Sequence, residues 1–150
     1  MARQRIDACQ PLRLAGAFAL LGVGIDHIVE YYGDSYSVIP TIGTLFFLNF
    51  ASATIVTVGL LAPVRRLVGR WANSLLALLA ISGIGIAAGS LVGLLLSENG
   101  GLFGFAEHGY RQAIVISTVL EVATVMLLGL FVAVNGLELP SRRKRPLSAV

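Results

Sequence analysis

Residues 75–96 read LLALLAISGIGIAAGSLVGLLL, and none of these 22 side chains is ionisable. Two further runs of the same length, 41–62 and 113–134, contain one charged residue between them, Glu121. Since about 20 apolar residues in a helix span the hydrocarbon core of a bilayer, each run predicts a transmembrane helix. Charged residues make up 13% of the chain, against about 25% in soluble globular proteins. This composition excludes a water-soluble enzyme, a disordered chain and a disulfide scaffold.

A fourth, shorter apolar run occupies residues 14–25, behind a basic segment that contains Arg3, Arg5 and Arg13. Such a segment resembles a signal peptide, but no small-residue cleavage site follows it, which indicates an uncleaved membrane helix. The four runs predict an all-α polytopic membrane protein, an up-down bundle of four transmembrane helices with both termini cytoplasmic. The helices are expected within a transmembrane domain of residues 12–135, at about 12–32, 41–62, 71–97 and 111–134.

Basic residues are distributed unevenly along the chain. Ten of the eleven lie in the N-terminal segment, the 63–70 connection or the tail, and Arg111 is the exception. Because basic loops stay cytoplasmic, residues 1–11 and the basic tail 136–150 are expected on the cytoplasmic side of a plasma membrane, with the tail attracted to anionic lipid. This placement explains the net charge of +3, so no nucleic-acid partner is expected. The single cysteine, Cys9, excludes an intramolecular disulfide.

Residues that begin or end helices flank the apolar runs. Pro40 fits the first position of the second helix, and Pro63 fits its end. Asn135-Gly136 predicts a stop for the fourth helix. The connection 98–110 alternates glycine with apolar side chains, so it is expected to cap the bundle or to lie among lipid headgroups.

Small residues form a stripe along the third predicted helix. Gly85, Gly89 and Gly93 recur every four residues, and Ser82 shares their face. Helices in lipid approach each other closely along such stripes. The stripe therefore predicts either packing inside the bundle or the seam of a homo-oligomer, and a leucine at Gly89 is expected to force packed helices apart.

Glu121 lies near the middle of the fourth predicted helix, where a charge costs about 2.5 kcal/mol or more. Ser117, Thr118 and Thr124 fall within about 60° of it on a helical wheel. Asn49, near the middle of the second helix, is a candidate partner. Two roles stay open for Glu121: a structural hydrogen bond between helices, or a proton relay or ligand-binding group.

A second polar cluster lies at the outer end of the first helix, where several carboxylates meet a histidine. Residues of the cluster and of the last predicted loop form a candidate metal site: Asp26, His27, Glu30, Glu107 and His108. Histidines with carboxylates suit a transition metal such as zinc, copper or iron. The alternatives are metal or haem ligation, a salt-bridged plug with Arg111 as counter-ion, and a protonatable entrance site for an ion or a quinone.

Three segments carry a resemblance to known proteins: YSVIPTIGTLFFLN at 36–49, GLFGFAE at 101–107 and STVLE at 117–121. Together with His27, they resemble a group of small four-helix membrane proteins of actinobacteria over residues 12–135. The topology is also loosely similar to that of DoxX-like proteins, some of which are linked to quinone-dependent redox chemistry. The resemblance implies the fold and a site with Asn49, Glu107 and Glu121, but no reaction.

No serine-nucleophile elbow and no phosphate-binding glycine loop occurs in the sequence, so a non-catalytic protein is favoured. We expect an accessory or ligand-binding membrane protein, with a buried polar site that is open to the extracytoplasmic side. The ligand is expected to be a small molecule, a quinone or a metal, and the partners a second copy or a larger membrane complex. The alternatives are a small proton-coupled transporter or channel that uses Glu121, and a haem or quinone redox protein.

Overall fold

The computed structural model describes residues 2–106 and 111–136, with side chains placed for 9–106 and 111–135. These residues form five α-helices: α1 (Ala2–Gly33), α2 (Pro40–Leu61), α3 (Val64–Val68), α4 (Ala72–Asn99) and α5 (Gln112–Gly136). Four segments are long and apolar enough to cross a membrane: Cys9–Gly33, Pro40–Leu61, Val64–Asn99 and Gln112–Asn135. The prediction of an all-α fold with four membrane-length helices is confirmed.

The ends of the helices agree with the sequence signals in some places and not in others. α2 begins at Pro40 as predicted, because proline needs no hydrogen-bond partner for a backbone N–H in the first turn. α1 begins at Ala2, well before the predicted start near residue 12, because hydropathy marks a membrane span and not the whole helix. α5 is described as far as Gly136, the second residue of the predicted stop, and the side-chain amide of Asn135 donates to the carbonyl of Asn73 in α4 (3.2 Å).

The connection between α2 and α4 is more ordered than predicted. Pro63 follows the end of α2 as expected, but the next residues form the short helix α3 and a 3₁₀ turn, Gly69–Trp71. Gly69 has a φ of +51°, a conformation that favours glycine. The side chain of Val64 is buried, so this connection closes the bundle at one end.

The long helices form a four-membered ring in which α1 packs against α2 and α5, and α4 packs against α5 and α2. The half next to the 62–71 connection, which we name the closed half, is tightly packed around the fully buried side chains of Leu20, Leu60 and Leu128. A methyl group added at Gly16 would lie 2.5 Å from Cδ2 of Leu128, and one at Gly83 would lie 2.7 Å from Cδ1 of the same leucine. These two glycines therefore permit the close approach of the helices.

The glycine stripe of α4 lies in the other half, next to segments 34–39 and 100–106, which we name the open half. A methyl group added at Gly85 or Gly89 would meet no atom within 4 Å, and one at Gly93 would meet only Leu102, at 3.9 Å. The prediction that this stripe packs inside the bundle is therefore wrong. The reason is the rotation of α4, which turns the face of Leu76, Ala80, Gly83 and Ala87 inward instead. The homo-oligomeric seam stays a prediction.

Candidate functional site

A cavity of about 450 Å³ occupies the open half and is lined by residues of all four long helices. Its volume lies within the range of about 300–1,000 Å³ that is typical of small-molecule sites. Most of the lining is apolar, but five acidic, basic or histidine side chains also face the cavity: Asp26, His27, Glu30, Arg111 and Glu121. The two polar groups predicted separately from the sequence thus belong to one site.

His27 and Glu121 lie at the buried end of this cavity. The imidazole Nδ1 donates a hydrogen bond to the carbonyl of Val23 (2.9 Å), which directs Nε2 toward Oε1 of Glu121 at 3.9 Å. Glu121 is only 2% exposed, and the hydroxyl of Ser117 donates to the same Oε1 at 3.4 Å. α1 and α5 therefore bring together two titratable groups that are 94 residues apart in the chain.

Asn49 lies in the same cavity but forms no hydrogen bond with Glu121, so the predicted pairing of these two residues is wrong. Its side-chain amide donates to the hydroxyl of Ser90 on α4 at 2.5 Å. Among the described residues, the Oδ1 atom of Asn49 is buried and has no hydrogen-bond partner.

Arg111 closes the end of the cavity that lies nearest to segment 34–39. Its guanidinium donates to the carboxylate of Asp34, to Oε2 of Glu30 (3.3 Å) and to the hydroxyl of Tyr36 (2.6 Å). The expected role of Arg111 as a counter-ion at the end of α1 is confirmed for Glu30. Sequence reasoning missed Asp34 and Tyr36; the spacing of Asp34, four residues after Glu30, was the available signal.

Aromatic side chains form one wall of the site. The ring of Tyr36 stacks on that of Phe46, with 4.6 Å between the ring centroids. The ring of Phe46 is tilted against the imidazole of His27, with 4.9 Å between the centroids. Phe105 packs edge-on against Tyr36 at 5.5 Å. Leu102 and Phe105 exchange two backbone hydrogen bonds, and both side chains line the cavity. The expectation that the loop after α4 caps the bundle is confirmed for this part of it.

Two predicted site residues lie away from the cavity. The hydroxyl of Thr118 donates to the carbonyl of Ile114, and that of Thr124 donates to the carbonyl of Leu120, each at 2.8 Å. Neither threonine lines the cavity, and each hydroxyl is satisfied by the backbone of its own helix. Thr124 is completely buried, so its hydroxyl satisfies itself locally within the closely packed part of α5.

The candidate metal site is only partly described. Glu107 and His108 lie outside the described residues. Within 9–106 and 111–135, no group of three or more histidine, cysteine, aspartate or glutamate side chains is arranged to hold a metal ion. Of the other predicted ligands, Glu30 is paired with Arg111 while His27 faces Glu121. Metal or haem ligation therefore stays a prediction that depends on the residues of the last loop.

Comparison with known proteins adds no relative. No protein family, no curated protein and no solved structure matches the chain. The resemblance to actinobacterial four-helix proteins and to DoxX-like proteins stays a prediction.

Proposed function

We propose that this protein is a non-catalytic or accessory protein of the plasma membrane that binds a small molecule in the cavity of its open half. The observation that carries the proposal is the cavity itself, in which buried acidic and imidazole groups meet an apolar wall. Ionisable groups within membrane helices cost about 2.5–3.5 kcal/mol each on insertion scales, and those that are kept mark functional positions. A bound molecule would satisfy the groups that the helices leave facing the cavity.

The proposed orientation places both termini and the 62–71 connection in the cytoplasm, so the open half faces the extracytoplasmic side. Arg65, Arg66 and Arg70 are all exposed in this connection, as expected for residues that contact anionic headgroups. Reporter fusions test the orientation: those at residues 67 and 150 should be cytoplasmic and one at residue 100 extracytoplasmic. A cytoplasmic signal at residue 100 would refute it.

The binding function is tested by native mass spectrometry of the protein in mild detergent. Ser52 lines the cavity, and Ser82 lies exposed on α4 outside it. Wild type and Ser82→Phe should carry one small molecule per chain, whereas Ser52→Phe should lose it because the phenyl ring fills the cavity. Equal occupancy in the two variants would contradict the proposal.

An absorption spectrum and a metal analysis of the same sample identify the class of ligand. A Soret band would establish haem and the redox alternative, and a stoichiometric metal would establish the ligation alternative. A quinone or another organic molecule would be identified by the mass released on denaturation.

Proton-coupled transport is a second candidate, supported by the placement of His27 Nε2 3.9 Å from the Glu121 carboxylate at the buried end of the cavity. Such a pair can exchange a proton as a ligand enters. In proteoliposomes, Glu121→Gln should then abolish proton uptake while the protein keeps its thermal stability. Uptake that is equal in wild type and in this variant would exclude Glu121 as a relay.

A further inference from the structure

Several residues of α2 and α4 that line the cavity are also exposed. Leu48 lines the cavity and is also 51% exposed. Gly85 and Gly89 line it from α4, are exposed, and have no atom within 4 Å of the position of an added methyl group. These exposed lining residues mark a lateral opening of the cavity between α2 and α4, which we name the window.

α2 and α4 approach each other closely at two levels, which frame this window. On one side, the amide of Asn49 donates to Ser90. On the other side, a methyl group added at Gly83 would lie 3.6 Å from Cγ1 of Val56, in the closed half. Residues 83 and 90 of α4 are about 10 Å apart along the helix axis at about 1.5 Å per residue.

The window lies at the depth of the hydrocarbon core in a membrane that the helices cross. In the apolar run 75–96 of α4, Gly85 and Gly89 are about 15 Å and about 20 Å from Leu75, at about 1.5 Å per residue. A hydrocarbon core is about 30 Å thick, so Gly85 lies near its middle and Gly89 lies within it. A molecule that passes through the window therefore comes from the acyl chains and not from water.

The head of such a molecule would meet an acidic site. Asp26 and Glu121 line the cavity, and among the described lining residues the basic partner near them is His27. The charge of Arg111 is already compensated by Glu30 and Asp34. Since buried carboxylates need a partner of opposite charge or a hydrogen-bond donor, this site favours a cationic head over an anionic one.

We infer that the ligand is a single-chain amphiphile with an amine head group, which enters from the bilayer through the window between α2 and α4. The head lies beside Asp26, His27 and Glu121, and the chain leaves over Gly85 and Gly89. The inference rests on the proposed binding function and adds the class of the ligand and its route. The cavity volume of about 450 Å³ suits one chain with a small head.

The test uses the full-length protein in phosphatidylcholine nanodiscs. The probes are an alkyl amine with a photoreactive diazirine in the middle of its chain, and the alkyl carboxylate of equal length. We expect the amine to label the peptides around Leu48 and Gly89 about tenfold more than the carboxylate does, which corresponds to about 1.4 kcal/mol in binding free energy. Labelling that is equal for both probes, or greater for the carboxylate, would overturn the choice of head group.

Two matched substitutions test the route. Gly85→Leu places a side chain in the window, whereas Gly129→Leu places one at a position of α5 that also has no atom within 4 Å. Labelling by the amine should fall about tenfold in the first variant and stay unchanged in the second. An equal level of labelling in the two variants would overturn the window.

Failure of this inference can be told apart from failure of the binding function. If propylamine, which has no long chain, competes with the probe as well as the unlabelled long-chain amine does, the lateral route is wrong and the binding function stands. If neither probe labels the lining residues, and Ser52→Phe and Ser82→Phe retain the same bound mass, both are wrong.

Discussion

The closed and open halves of the bundle are built from the same kinds of apolar and small residues, yet their glycines serve opposite purposes. In the closed half, Gly16 and Gly83 lie against Leu128, where an added methyl group would overlap a buried side chain. In the open half, Gly85 and Gly89 face open space and border a cavity. A small residue in a membrane helix can therefore either bring helices together or keep a passage clear.

Polar groups follow the same division. The hydroxyl of Thr57, in the closed half, donates to the backbone carbonyl of Ala17 (3.2 Å), so the group is satisfied by the neighbouring helix. In the open half, His27 and Glu121 line the cavity, and their closest approach to each other is the 3.9 Å between Nε2 and Oε1. Polar side chains thus hold the helices together in one half and prepare a binding site in the other.

The largest effect is expected from overpacking the closed half. Gly16→Leu should lower the free energy of unfolding by about 3 kcal/mol, because the new side chain collides with Leu128 and with the backbone of α5. Thermal or denaturant unfolding in detergent measures the loss, with Gly129→Leu as the control. A loss no greater than that of the control would mean that α1 and α5 can separate freely.

A smaller effect is expected at Glu121. Glu121→Leu should lower the free energy of unfolding by about 1–2 kcal/mol, because the Ser117 hydroxyl loses its acceptor and His27 Nε2 loses the carboxyl group. Glu121→Gln should cost less than about 0.5 kcal/mol, since the amide can accept from Ser117 and donate toward His27. If the leucine variant is as stable as wild type, water must satisfy both groups from the cavity.

The ion pairs of Arg111 should contribute less to the free energy of unfolding than the buried groups around Glu121 do. Arg111 is partly exposed, so Arg111→Met should cost about 1 kcal/mol, and high salt should weaken the contribution of the pairs in the wild type. A double-mutant cycle with Asp34→Asn measures the coupling energy. A coupling energy of zero would show that Arg111 closes the cavity without stabilising the bundle.

The smallest effect is expected at Gly89. Gly89→Leu should change the free energy of unfolding by less than about 0.5 kcal/mol, because nothing lies within 4 Å of the new Cβ. This outcome is the opposite of the one expected from the glycine stripe. Comparison with Gly16→Leu in the same unfolding assay separates the halves, and a large loss at Gly89 would place a neighbouring helix or a second copy on this face.

The sequence by itself was sufficient for the helical spans, because their determinants are local. A run of apolar residues of membrane length predicts a span wherever its neighbours lie, and Pro40 begins α2 for reasons of backbone geometry alone. The polar residues worth attention, Asp26, His27, Glu30 and Glu121, were also evident, because a group that is costly in an apolar run stands out without reference to the rest of the chain.

Only the tertiary structure decided which of these residues meet. Helical periodicity establishes that Gly85 and Gly89 share a face of α4, but the rotation of α4 about its axis depends on how all four helices pack. The same is true of the pairing of Asn49 with Ser90 and of Arg111 with Asp34, which join helices or loops far apart in the chain. In an apolar environment every face of these helices is permitted to face lipid, so hydropathy cannot distinguish a packed face from one that borders a cavity.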